Sequence, residues 1–411
     1  MYTGTGHKTT IIVLLNLGAV KKQIDVMVQN RKALTNDYAE RVERAVREWR
    51  RWASDPDALS DKIAKARTSW LVARPIEEIT AVGSLPSRPG TLTVVATDGS
   101  QIFPDRNEVA SCFLINLGYV SMTYGTCDRP EMGSEPELFF EDEDLYQDWS
   151  GHRAIITREQ VGHRRMAMEF TRLVKLAEMS GDKDQRSKDI PIVAMSDGTL
   201  ILWMLEGKPP ALRREMLRGF LGSMDQLRKN RTPVCGYISS PGGSDVVNPL
   251  RVGMCPETPT VCDRCPWMTG ERTELPCDPI NGVTDAALYW RLLEPGERSA
   301  LFESASKILD DYGPHSIVFF YVHTGQEIGR VEVPLWVAQD EDLLNLIHAA
   351  VIDQCRKGRG YPVVLSESHE QAVVKGTERE LFYSMLRDAY VKNRMQVGVS
   401  VKQLKKKIVD V

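Results

Sequence analysis

No surplus of positive charge marks this chain: its 411 residues hold 52 Lys plus Arg against 56 Asp plus Glu, a net charge of −4. A nucleic-acid partner would therefore have to be met by a local basic groove and not by a global field. Long apolar runs are missing too. The stretch at 9–20 is broken by Asn16 and followed by Lys21-Lys22, where small cleavage-site residues would stand. It falls well short of the ~20 residues that span a bilayer. Neither a membrane helix nor a signal peptide is expected, which places the chain in the cytoplasm. Cysteine is sparse, with eight residues, and that excludes a disulfide scaffold. No Gly-x-x-x-x-Gly-Lys-Ser/Thr loop occurs, since Gly207-Lys208 runs into prolines; ATP-driven movement has to come from another chain. Internal repeats and low-complexity tracts are also absent. What remains, 42% hydrophobic and 26% charged residues, is the balance of a globular protein with one or more ordinary cores.

Four of the cysteines are scattered (Cys112, Cys127, Cys235, Cys355) and read as small buried hydrophobes. The other four, Cys255, Cys262, Cys265 and Cys277, follow a C-x6-C-x2-C-x11-C spacing in a loop rich in Pro, Gly and Thr. Four thiolates satisfy tetrahedral zinc or an iron–sulfur cluster, and the spacing does not choose between them. In either case the protein ligands fill the coordination sphere, so the site is a scaffold and not a reaction centre.

Along the chain, residues 22–70 lean helical, with Ala39, Val42, Val46 and Trp49 near the 3.6 period. A Gly/Pro linker covers 83–90. The β-branched run 91–97 reads as a buried strand ending at Asp98-Gly99-Ser100. Residues 109–124, with Gly118, suggest a hairpin. Residues 131–148 hold eight acids and no base and read as an exposed acidic loop. A helix over 157–178 carries Met166, Phe170, Leu173 and Ala177 as a core stripe. After a polar insertion at 181–189, a second buried strand over 190–195 again leads to Asp-Gly, at Asp197-Gly198. A helix over 210–230, a strand over 234–239, strands over 316–322 and 329–334, and helices over 340–355 and 367–390 complete the pattern. The fold class is thus α/β, with an N-terminal helical region over 1–82, a cysteine-rich insertion over 250–282 and a basic tail over 401–411.

One carboxylate recurs in one context. Asp98 and Asp197 each close an apolar strand and each precedes Gly and a hydroxyl residue. Strand ends of an open sheet face the cleft where ligands bind, and glycine admits close backbone approach. Two aspartates on adjacent strands make a hard-oxygen site for Mg²⁺ or Mn²⁺. The intervening helix offers Glu169 as a third carboxylate, with Glu159 and Glu178 as alternatives. Strand with Asp, hairpin, helix with Glu and strand with Asp is the chain order of a ribonuclease H-like nuclease core. Its carboxylates hold two cations for phosphodiester hydrolysis. His369 and Tyr361 are further candidates, the histidine at an expected helix start capped by Ser366 or Ser368. Arg153, Arg158, Arg164 and Arg165 are candidate phosphate contacts.

The motifs DGS at Asp98, SDGTLI at Asp197, GYISSP at Tyr237 and GYP…SHEQAVV at His369 resemble those of the NurA nucleases, in the family's order, across about 91–386. The resemblance implies a ribonuclease H-like mixed sheet flanked by helices, within a nuclease domain over 83–400. It implies Mn²⁺-dependent (or Mg²⁺-dependent) 5′–3′ exonuclease and single-strand endonuclease activity on DNA ends, in recombinational repair. Family members are homodimers that dock on HerA, a hexameric ATPase. Carried over by motif, Asp98, Glu169 and Asp197 are metal carboxylates, with Tyr361 and His369 completing the site; the Glu169 transfer assumes that 181–189 is an insertion. The four-cysteine loop and the apolar stretch before Lys21 are outside the family pattern, and Met27 is an alternative start. A different reading is a non-catalytic adaptor that keeps the fold and docks partners through the cysteine cluster. Two retained carboxylates that repel each other argue against it.

Overall fold

The computed structural model describes residues 15–103, 112–149, 152–181, 189–268 and 275–395. The basic tail at 401–411 and most of the polar insertion at 181–189 lie outside the described residues. The strands are β1 (Arg74–Pro75), β2 (Leu92–Ile102), β3 (Phe113–Tyr124), β4 (Glu131–Phe139), β5 (Tyr146–Trp149), β6 (His152–Ile155), β7 (Ile192–Asp197), β8 (Val234–Ile238), β9 (Phe302–Glu303), β10 (Ile317–His323) and β11 (Ile328–Pro334). The helices are α1 (Leu17–Ala53), α2 (Pro56–Lys65), α3 (Asp142–Leu145), α4 (Arg158–Gly181), α5 (Pro210–Lys229), α6 (Val247–Met254), α7 (Asp285–Tyr289), α8 (Leu335–Ala338), α9 (Glu341–Lys357), α10 (Val363–Ala372) and α11 (Gly376–Lys392).

Among the described residues, nine strands form one mixed sheet in the order β1-β9-β10-β11-β8-β7-β2-β3-β4, while β5 and β6 pair separately. β2, β7 and β8 are mutually parallel, and the strands on either side of them are antiparallel. The parallel step is made through α4, whose apolar stripe (Phe170, Leu173 and Ala177, with Met166 partly covered) packs into the main core with α5. The opposite face is covered by α9 and α10. Strand β10 is buried at all seven positions, as expected where both faces of a strand are covered. Its even residues Val318, Phe320 and Val322 enter the main core. Its odd residues Phe319 and Tyr321 enter a second core shared with α1, α2, α6 and α7.

Several expectations change. The segment at 113–124 is one strand, not a hairpin. Gly118 lies mid-strand, and a Cβ there would come within 2.3 Å of the Ser368 carbonyl oxygen and 2.4 Å of the Ala372 nitrogen. The glycine therefore marks a helix pressed onto the sheet, where the sequence reading had a turn. The acidic segment is also ordered: it builds edge strand β4 and helix α3. Charged residues and Pro136 along β4 blunt an otherwise exposed sheet edge. The helix expected over 367–390 is two helices, parted at Val373–Lys375. Of the four scattered cysteines, Cys127 is exposed while Cys112, Cys235 and Cys355 are buried.

Candidate active site

Strand β2 does not end at Asp98 but continues to Ile102 along β3. What ends there is its parallel ladder with β7, whose last partners are Thr97 and Ser196. The next residues, Asp98 and Asp197, therefore stand side by side, one strand spacing (~4.8 Å) apart and on the same face. That face is the one under α10, because Asp98 pairs with Gly118, against which α10 rests.

Each carboxylate has its own partners. Asp98 Oδ1 accepts from the Gly99 backbone N–H at 2.7 Å, and Oδ2 lies 2.7 Å from His369 Nδ1. His369 sits in the second half of α10, not at its start, and Pro362, not a serine, precedes the first turn. Asp197 closes β7 opposite Tyr237. The Tyr361 hydroxyl hydrogen-bonds to Asp197; burial first, and then that carboxylate, raise the proton affinity of the phenol. The Tyr361 ring meets the buried Tyr237 ring edge-on at 5.7 Å.

Glu169 arrives from the other face. Thr97 Oγ1 donates to the Glu169 carbonyl at 2.9 Å, which seats α4 against β2. Gly99 shares that face. A Cβ on it would lie 2.5 Å from Glu169 Oε1 and 2.8 Å from Arg165 Cγ. The missing side chain is thus the window through which the helical carboxylate approaches the aspartates. Burial pushes the Glu169 carboxyl up to about 7; Arg165 opposes the shift, and Asp98 and Asp197 add to it. Arg165 Nε stands 3.3 Å from Glu169 Oε1 without hydrogen-bond geometry, so this buried oxygen accepts no hydrogen bond. The Arg165 guanidinium instead donates through Nη1 to the Gly99 carbonyl at 2.5 Å.

The other helical glutamates are elsewhere: Glu159 pairs with Lys208 and Glu178 accepts from Asn230. Among the described residues, no three His, Cys, Asp or Glu side chains form a preformed ligand cage. The carboxylate set nonetheless fits a hard divalent cation. Three acidic groups repel one another within one site, and a desolvated oxygen lacks any donor. Gly99→Ala tests this geometry. The clash is with the end of Glu169 and the stem of Arg165, both flexible side chains and not backbone, so folding should survive. Displacing that carboxylate by about 1 Å should lower any activity by about a hundredfold, as read from initial rates alongside an unchanged circular dichroism spectrum.

The sequence reading passed over Glu332. This buried residue of β11 accepts from Thr199 Oγ1 at 2.7 Å and from the Leu200 backbone N–H at 2.8 Å. It pins the turn after Asp197, where Gly198 takes a left-handed φ of 88°. Its other oxygen accepts from Arg330 Nε at 2.9 Å, and Arg330 also reaches Asp245 at 2.8 Å. Opposite charges two residues apart in an otherwise apolar strand share one face, and that was the available signal.

The four arginines expected to meet phosphates are differently engaged. Arg153 pairs with Asp142, and Arg164 with Asp144 at 2.8 Å while lying over the Phe139 ring. Arg158 lies 4.9 Å over the Phe103 ring. Arg165 belongs to the carboxylate site. The acidic segment thus neutralises part of the basic face of α4, including Arg172, which pairs with Glu135.

The NurA domain family model matches residues 92–374. The fold is similar to the crystal structure of the NurA nuclease from Sulfolobus solfataricus, with a TM-score of 0.50 and 13% identity over 90% of this chain and 98% of that one. A crystal structure of NurA with manganese aligns with a TM-score of 0.37 and 11% identity over 88% of this chain and 98% of that one. No curated protein sequence matches the chain.

Proposed function

The chain belongs to the NurA family, and from that premise we propose that it is a divalent-metal-dependent DNA nuclease. The observation that carries the reading is the side-by-side placement of Asp98 and Asp197 on parallel strands, with the unsatisfied carboxylate of Glu169 reaching them through Gly99. In this reading Asp98, Asp197 and Glu169 bind Mn²⁺ or Mg²⁺, and His369 either adds a ligand or holds Asp98 in orientation. Tyr361 orients Asp197 through its hydroxyl. A divalent cation bound there supplies Lewis acidity to the scissile phosphate and acidifies a water. The protein's own part is to hold three acids together in a partly desolvated site and so preserve affinity for that cation.

The finer reading rests on family membership. It comprises 5′–3′ exonuclease and single-strand endonuclease activity at DNA ends, homodimerisation, partnership with a HerA-type ATPase, and a place in cytoplasmic recombinational repair. The core is ribonuclease H-like. The strand order β4-β3-β2-β7-β8, three antiparallel strands followed by two parallel ones, supports that assignment. In this reading the nuclease domain is 83–400, preceded by α1 and α2 and followed by the lysine-rich residues 401–411. No helix among the described residues is long and apolar enough to cross a membrane.

The test is digestion of end-labelled linear and single-stranded DNA by the purified chain with Mn²⁺, Mg²⁺ or EDTA. Digestion with a divalent cation and none with EDTA is expected; inactivity under every metal, with and without a HerA-type partner, would sink the reading. Cation binding has to displace the Glu169 proton. The apparent Mn²⁺ affinity is therefore expected to rise with pH through about 7.

A further inference from the structure

Four thiols gather on the side of the molecule built by the N-terminal helices. Cys255 ends α6, Cys262 and Cys265 flank a single 3-10 turn, and Cys277 precedes another. All four are half-buried and none is in a disulfide. With Trp70, Val261 and Trp267 they line one cavity of about 30 Å³. The thiols of Cys277, Cys255 and Cys265 all lie within electrostatic reach of Cys262. They ring this cavity without forming a preformed cage.

The frame that presents them is fixed independently of any ligand. Arg67 and Val261 form a parallel bridge, with Arg67 N–H donating to the Thr260 carbonyl at 2.8 Å and Cys262 N–H to the Arg67 carbonyl at 3.0 Å. Lys62 of α2 donates to the carbonyls of Cys255 at 2.6 Å and Gly253 at 3.0 Å. Two chain segments distant in sequence, 62–67 and 253–262, thus frame the small space that the four soft donors line. Such a loop, short of regular structure, has little core of its own. A four-thiolate ion would supply the missing cross-link.

We propose that Cys255, Cys262, Cys265 and Cys277 bind one structural Zn²⁺ that clamps the stretch 255–268 and Cys277 onto α2 and the chain around Arg67. Four thiolates saturate one tetrahedral Zn²⁺, and an iron–sulfur cluster is the alternative outcome that the experiment below distinguishes. Four protein thiolates leave no open coordination position, so the ion takes no part in hydrolysis.

The experiment is elemental analysis of the full-length chain purified without chelator. One zinc per chain in a colourless protein is expected, with the zinc lost from a Cys262→Ser/Cys265→Ser variant. Should that variant fail to fold, Co²⁺ exchanged into the wild-type chain gives a second readout. Thiolate-to-cobalt charge transfer with tetrahedral d–d bands supports the site. Four wild-type thiols that react freely with a disulfide reagent and no bound metal would overturn the proposal. So would iron with equimolar sulfide and a brown colour, or octahedral cobalt spectra. None of these readouts depends on nuclease activity.

Discussion

Asp98→Ala is expected to lower metal-dependent DNA digestion by about a thousandfold or more, a loss of ~4 kcal/mol of transition-state stabilisation, without unfolding the protein. The side chain has two partners, the Gly99 backbone N–H and His369, and neither belongs to the core. Its backbone stays locked between Gly118 of β3 and the end of the β7 ladder. Asp98→Asn separates charge from shape. The amide keeps an oxygen for Gly99 and a polar group for His369 but cannot neutralise a cation, so it should be nearly as inactive as the alanine variant. Both changes remove one of the charges that raise the Glu169 carboxyl, so stability in EDTA should hold or rise, as at other sites where function is kept at the expense of stability. The measurements are initial rates at saturating Mn²⁺ and thermal melts with and without the metal. Asp98→Ala digesting DNA at a rate within tenfold of wild type would end the carboxylate reading. A lower melting point with activity retained would make Asp98 a structural residue.

Much of this site was legible in the chain because its signals are local. A β-branched run leading into Asp-Gly-hydroxyl needs no tertiary knowledge to be read as a strand presenting an acid, and the stripe Phe170, Leu173, Ala177 fixes which side of α4 is buried. Glu169 falls beside that stripe, and the structure brings it to Gly99 while leaving Glu159 and Glu178 with partners of their own. What escaped the sequence was set by contacts between distant segments. Gly118 looks like a turn residue until α10, some 250 residues later, is seen resting on it. The acidic segment looks solvated, because its partners Arg153, Arg164 and Arg172 come later in the chain. The serines beside His369 suggest a helix start there. The helix in fact begins after Pro362, which stands at its N-cap. Short-range rules see the carboxylate and the glycine; they do not see which helix covers them.

Glu332→Ala is expected to give the largest loss of stability, about 3–5 kcal/mol, the usual cost of removing one member of a buried ion pair. Glu332 is 1% exposed and Arg330 5%, so neither charge has water to turn to. Deleting the carboxylate leaves Arg330 with Asp245 as its remaining anionic partner and strips the acceptor from the Leu200 N–H and the Thr199 hydroxyl. It also opens a void next to Gly236, where a Cβ would already lie 2.5 Å from the Gly198 carbonyl oxygen. That crowding shows how tightly the 198–202 turn is folded back onto β8. Because this turn follows Asp197 directly, the loss extends to the active site. Glu332→Gln, which keeps the volume and one acceptor oxygen but not the charge, should lose less stability. It should still digest DNA more slowly than wild type, since the turn is held by one acceptor where a charged one stood. Equilibrium denaturation gives the stabilities, and rates measured well below the unfolding transition give the activities. A loss under 1 kcal/mol for Glu332→Ala would mean that Asp245 alone satisfies Arg330. Full activity in Glu332→Gln would mean that Asp197 is positioned by β7 and Tyr361 without help from the turn.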